Sequence, residues 1–101
     1  MLKVPDDCKD IIKMTAGKFN RCLLTSDGTI YFIGQAKKYM LSSRVSQSDY
    51  SREFNKVSDT LFPKGVNDKI VDVTLGKNFI IVTTESGECY GSGYYFYRYI
   101  N

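Results

Sequence analysis

Two stretches of this chain are versions of one another, and that repetition limits the possible fold more than any other property of the sequence. Ile11-Ile-Lys-Met-Thr-Ala-Gly-Lys18 lies over Ile70-Val-Asp-Val-Thr-Leu-Gly-Lys77 at an offset of 59 residues. Carried on without a gap, the offset pairs Thr25 with Thr84, Gly28 with Gly87, Tyr31 with Tyr90 and Gly34 with Gly93. Of the 25 positions from Asp10 to Gly34, eight are identical, and Ile12/Val71, Met14/Val73 and Leu23/Val82 are conservative. Three glycines in register, at spacings of 11 and 6 in both copies, are hard to obtain by chance. Such a period marks a repeat architecture, in which each unit buries its faces against its neighbours.

Each copy reads as three short strands. In the first copy they fall at about 11–16, 21–25 and 30–33, with turns at Gly17-Lys18 and at Ser26-Asp27-Gly28-Thr29, where Asp-Gly supplies the positive φ of a tight hairpin. The second copy repeats the pattern at 70–75, 79–84 and 88–92, turning at Gly76-Lys77 and Ser86-Gly87. β-Branched and aromatic strands broken by glycine turns predict an all-β, antiparallel meander. The chain is thus one repeat region over 1–101, with copies at 10–35 and 69–93. Residues 36–53, with five serines, predict an exposed polar loop. Residues 54–57 are a possible fourth, outer strand, and Phe62-Pro-Lys-Gly65 punctuates the approach to the second copy.

The pattern from Ala16-Gly17 through Leu23-Leu24-Thr25, Asp27-Gly28, Ile30-Tyr31 and Gly34 resembles the repeat of the regulator of chromosome condensation family. The resemblance covers about half the chain. It implies antiparallel blades of a β-propeller, normally a seven-bladed ring. Copy two departs from the pattern, with Thr83 for Leu24 and Ser86 for Asp27. Asn20 and Phe79 stand where the family usually has His, Ile33 and Ser92 stand where it often has Trp, and Gly34-Gln-Ala-Lys37 lacks the expected Gly-Gln-Leu-Gly. The alternative is a small β-sandwich whose glycines reflect turn chemistry alone. At 101 residues the chain supplies fewer than two such blades, while about three repeats are usually needed for stability. It is therefore a piece of a longer protein, a subunit completed by partner chains, or a smaller self-closed fold. Met1 favours a genuine start.

Composition excludes much chemistry. The chain has no His, which removes the Ser-His-Asp triad, the Cys-His pair and imidazole metal ligands. Cys8, Cys22 and Cys89 have neither zinc-site spacing nor an even count, so free thiols in a reducing, intracellular setting, cytoplasmic or nuclear, are expected. No apolar h-region opens the chain, and the longest apolar runs are four residues, at 30–33 and 79–82, too short to span a bilayer. A net charge of +3 gives no strong pull toward nucleic acid. Neither a phosphate-binding loop nor a dinucleotide fingerprint is present, so no cofactor, no metal and no catalytic residue is assigned.

The candidate residues are therefore structural or partner-binding. Gly17, Asp27, Gly28, Gly34, Gly76, Gly87 and Gly93 are read as structural repeat turns. The candidate partner-binding residues are Lys37, Lys38, Tyr39, Arg44, Tyr50 and Arg52 in the polar stretch, with Tyr95, Tyr97 and Tyr99 on one face of an aromatic C-terminal segment. Asp6, Asp7 and Asp10 read as a solvated acidic cluster. These readings point to a non-catalytic protein-interaction or scaffold module, bound to a protein partner or to the remaining propeller blades. The family resemblance implies a second reading, guanine-nucleotide exchange on a small GTPase, but no exchange residue carries over.

Overall fold

A computed structural model of the chain describes residues 10–36, 49–58, 61–76 and 79–93; the side chains of Ala36, Asp49 and Tyr50 are outside that description. Among the described residues seven strands form and there is no helix. They are β1 (Ile11–Ala16), β2 (Asn20–Thr25), β3 (Ile30–Ala36), β4 (Asp49–Lys56), β5 (Ile70–Leu75), β6 (Phe79–Thr84) and β7 (Cys89–Gly93). They make two antiparallel meanders, a four-stranded sheet in the order β1-β2-β3-β4 and a three-stranded sheet in the order β5-β6-β7.

The six strands expected of the two copies are present. The outer strand differs: it runs from Asp49 to Lys56 rather than over 54–57, so the end of the expected loop 36–53 is strand. The cause lies in the pairing. β3 continues past Gly34 to Ala36, and Gln35 and Ala36 pair with Tyr50 and Asp49 across the hairpin. The polar side chains of this stretch suit an edge strand with an exposed face, a setting that composition cannot separate from a loop.

The repeat extends to individual hydrogen bonds. Gly17 N–H donates to the Asn20 carbonyl at 3.0 Å, as Gly76 does to Phe79 at 2.8 Å; Ser26 N–H donates to the Asp10 carbonyl at 2.8 Å, as Glu85 does to Lys69 at 2.7 Å. β1 and β5 even share an irregular register, between Ile11 and Lys13 and between Ile70 and Asp72. The second hairpin turn lacks the carboxylate of Asp27, which in the first accepts from the Thr25 hydroxyl at 2.5 Å and the Thr29 N–H at 3.2 Å. Asp68, from the connecting segment, replaces it and accepts from the Ser86 N–H at 3.0 Å and the Ser86 hydroxyl at 2.6 Å.

The sheets pack through unlike faces. Strand alternation puts Cys22, Leu24, Ile30 and Phe32 on one face of the first sheet. They share a core cluster with Val73, Leu75, Ile80, Val82 and Tyr90 of the second sheet, joined by Val57 and Phe62 of the connection. At the 59-residue offset, the second-sheet members correspond to Met14, Ala16, Arg21, Leu23 and Tyr31, which lie on the opposite face of the first sheet. The same face of each sheet therefore points the same way, as in successive blades of a propeller and unlike the two inner faces of a sandwich. The far face of the first sheet holds a second cluster of Leu23, Tyr31, Ile33 and Phe54.

Candidate interaction surface

Head-to-tail stacking leaves each sheet with one face not used in the contact between them, and on that face of the first sheet Leu23, Tyr31, Ile33 and Phe54 are buried while the β1 edge is exposed. The best index of what is open is the difference between equivalent residues. Val73 is 1% exposed because the first sheet covers it, whereas Met14 is 62% exposed. Leu75 and Ile80 are buried, while Ala16 and Arg21, their equivalents, are exposed. Ile12 is also exposed, and Phe19 extends the apolar surface at the β1–β2 turn, with the Lys18 ammonium 5.4 Å from its ring centroid. On the far face of the second sheet, Ile81, Thr83 and Cys89 are half-buried. They stand where the first sheet has Cys22, Leu24 and Ile30, all fully buried.

An ion pair crosses between the sheets at the open edge. Lys13 on β1 donates its ammonium to Asp72 Oδ1 on β5, an oxygen that also accepts the Val73 N–H at 2.9 Å. Lys13 and Asp72 are equivalent residues of the two copies, so one position carries opposite charges on successive sheets. The Lys13 hydrogen bond holds the Asp72 carboxyl below its ordinary value of 3.8, and the Ser86 hydroxyl does the same for Asp68. A carboxyl depressed by folding contributes stability that is present above its unfolded pKa and lost as pH falls through its folded one. The protein is thus expected to lose melting temperature as pH falls below about 4. A double variant, Asp68→Asn with Asp72→Asn, is expected to lose less over the same acid range. Thermal melts at neutral and acid pH check this, and an unchanged acid loss in the variant would contradict it.

Two other features carry groups capable of chemistry. A cleft of about 240 Å³ opens between the Asp27-Gly28-Thr29 turn and the connecting segment. Its floor is Ile30, Val57, Phe62 and Ile70, and Lys64 and Lys69 stand at its rim. Lys69 lies 4.0 Å from Glu85, which offsets part of that positive charge. Cys22 is completely buried, and burial pushes its thiol up to about 12, so it is a core group with no thiolate at neutral pH. Among the described residues no three of His, Cys, Asp and Glu gather into a metal-binding group.

Asp27, Gly28 and Gly87 lie in hairpin turns, Gly17 and Gly76 directly follow β1 and β5, and Gly93 ends β7, whereas Gly34, expected to end its strand, lies inside β3 and pairs with Ser51. Gly28, Gly34, Gly87 and Gly93 have positive φ, whereas Gly17 and Gly76 serve their turns by their small size, lying against the Asn20 and Phe79 side chains. Of the expected partner-binding residues, Arg52 is exposed on β4 and Tyr50 pairs through its backbone with Gln35. Lys37, Lys38, Tyr39, Arg44, Tyr95, Tyr97 and Tyr99 lie outside the described residues, as do Asp6 and Asp7. Sequence reasoning did not single out Lys13, Met14 and Asp72. The signal was available in the aligned copies, as a charge reversal at 13/72 and a conservative exchange at 14/73 whose two members differ completely in exposure.

No family model matches the chain, and no curated protein matches it. Among solved structures it is similar to the crystal structure of human WBSCR16, with a TM-score of 0.69 and 15% sequence identity over 90% of this chain. That neighbour is a β-propeller protein related to the regulator of chromosome condensation. The chain spans 23% of the length of WBSCR16 in that structure. The likeness establishes the fold: this is an all-β protein of antiparallel, propeller-like blades.

Proposed function

We propose that the chain is a divergent member of the regulator of chromosome condensation family, acting as a non-catalytic interaction module in a reducing compartment. One observation carries this reading. The sheets meet through unlike faces, and the Met14, Ala16 and Arg21 positions that are covered in the second sheet stand uncovered in the first. Exposed apolar surface of that kind, rimmed by Lys13, Lys18 and Arg21, is characteristic of protein contact sites. The buried Cys22 thiol and the carboxylates of Asp27, Asp68 and Asp72 are engaged in the core, the turns and the ion pair.

The experiment is a binding measurement on the whole chain. An affinity-tagged chain is expected to retain a protein partner in stoichiometric amount, and Ile12→Asp is expected to release it while leaving the circular dichroism spectrum unchanged. A stable chain that binds no protein would overturn the reading. Stimulated nucleotide release from small GTPases would replace it with the exchange activity that the family resemblance implies.

A further inference from the structure

The cleft beside the first hairpin turn shares no residue with the exposed Met14 edge, and both its walls are held in place. On one side the Asp27 carboxylate is fixed by the Thr25 hydroxyl and the Thr29 N–H. A Cβ on Gly28 would lie 2.7 Å from Lys69 Cγ and 3.2 Å from the Ile70 nitrogen, so the turn bears directly on the connecting segment. On the other side Asp68 N–H donates to the Gly65 carbonyl at 3.0 Å, and the Lys69 carbonyl accepts the Glu85 N–H at 2.7 Å. The Asp68 carboxylate is pinned in turn by Ser86. The wall that carries Lys64, Val66 and Asn67 is thus preorganised, which lowers the entropic cost of binding.

Size, floor and charge define the occupant. The volume of about 240 Å³ falls short of the roughly 300–1,000 Å³ of sites for drug-sized molecules. It suits a side chain rather than a whole ligand. Val57, Phe62 and Ile70 give that side chain an apolar floor, and Val66, 97% exposed, adds an uncovered apolar rim.

Lys64 is half-buried, and among the described residues it forms no hydrogen bond or ion pair. An ammonium partly withdrawn from water with no partner favours an incoming anion. Lys69 shares its charge with Glu85 at 4.0 Å, Asp27 faces the cleft from the turn, and Asp68 is within reach of the Lys64 charge. These carboxylates leave room for one negative charge and oppose a phosphate, which carries about two. We propose that the cleft docks a segment of a protein partner that lays an apolar side chain on the floor and sets one carboxylate, from an acidic side chain or a chain terminus, against Lys64. The proposal goes beyond the Met14 edge: it names a second contact and the chemistry that this contact reads.

NMR titration of the isotope-labelled whole chain with the peptide acetyl-Gly-Leu-Glu-Gly-amide tests this. Saturable shifts are expected at the amides of Gly28, Thr29, Val66 and Asn67. Lys64→Glu is expected to weaken binding by at least about tenfold, and Lys64→Arg, which keeps the charge, to retain most of it. Val66→Ser, on a side chain exposed in the free chain, is expected to weaken binding about threefold with an unchanged melting temperature. Replacing the peptide's Glu by Gln, or its Leu by Gly, is expected to cost as much as Lys64→Glu. Tighter binding of a peptide that ends in a free Leu carboxylate would support the proposal and assign the anion to a chain terminus. Absence of shifts up to about 10 mM peptide would overturn it, as would binding indifferent to Lys64→Glu or tightened by phosphoserine in place of Glu. A partner released by Ile12→Asp would still stand in that case, since that contact uses other residues.

Discussion

Phe32→Ala is expected to cost about 3–5 kcal/mol of folding stability. Phe32 is 2% exposed and among the largest fully buried side chains. It lies in the middle strand of its sheet's last three, between Cys22 and Asn55, and faces the second sheet. Truncation leaves a cavity in the one apolar layer that joins the sheets, where a backbone fixed by pairing on both sides cannot collapse to fill it. Domains of this size have about 5–15 kcal/mol in total, so a large share of the stability is at stake. Urea titration of the wild type and variant is the measurement. Because one cluster holds both sheets, the loss is expected as a shift of a single transition. A cost below about 1 kcal/mol, typical of surface positions, would show that the sheets do not depend on this contact.

Gly34→Ala is expected to rival that loss from a wholly different cause. Gly34 sits at φ +103°, a conformation that side chains avoid, and strain of this type costs about 1–3 kcal/mol. The site is also full. A Cβ there would overlap the Phe19 carbonyl oxygen and lie 2.8 Å from the Asn20 Cα. That oxygen already accepts the Gln35 N–H at 3.0 Å, and the Asn20 side-chain amide donates to the Gln35 carbonyl at 2.9 Å. Relief of the overlap would break this crossing of β2 and β3. A total of about 3 kcal/mol or more is expected. Gly87→Ala supplies the comparison, since its φ is +94° but no atom lies within 4 Å of the added Cβ. Equal losses at the two sites would mean that backbone strain alone accounts for both.

The sequence foretold the strands of both copies because the signals are local: glycine turns, an Asp-Gly hairpin and runs of β-branched and aromatic residues. The propeller-like class came from the resemblance of the Ala16–Gly34 pattern to a known repeat family, since three aligned glycines by themselves show only that the chain repeats. The start of β4 was read five residues late, at 54 instead of Asp49, because an edge strand with Ser51, Arg52, Glu53 and Asn55 has the composition of a loop, and only its pairing with β3 identifies it. The interaction surface was least legible. Met14 and Val73 are similar in chemistry, and nothing in their neighbourhoods along the chain says that one is covered and the other open. That difference arises from which sheet has another beside it, a property of the stack and not of either segment.

The charge reversal between Lys13 and Asp72 also bears on how such a chain can change over time. Suppose that one unit were written over the other. The copying would be costly in either direction. Writing the first unit over the second would set lysine against lysine across the sheets and fill the Gly91 position with phenylalanine. Writing the second over the first would set aspartate against aspartate and remove Phe32 and Leu24 from the shared core. The two units are alike enough to stack and unlike enough that neither can stand in for the other, so their divergence is held in place by the contact between them.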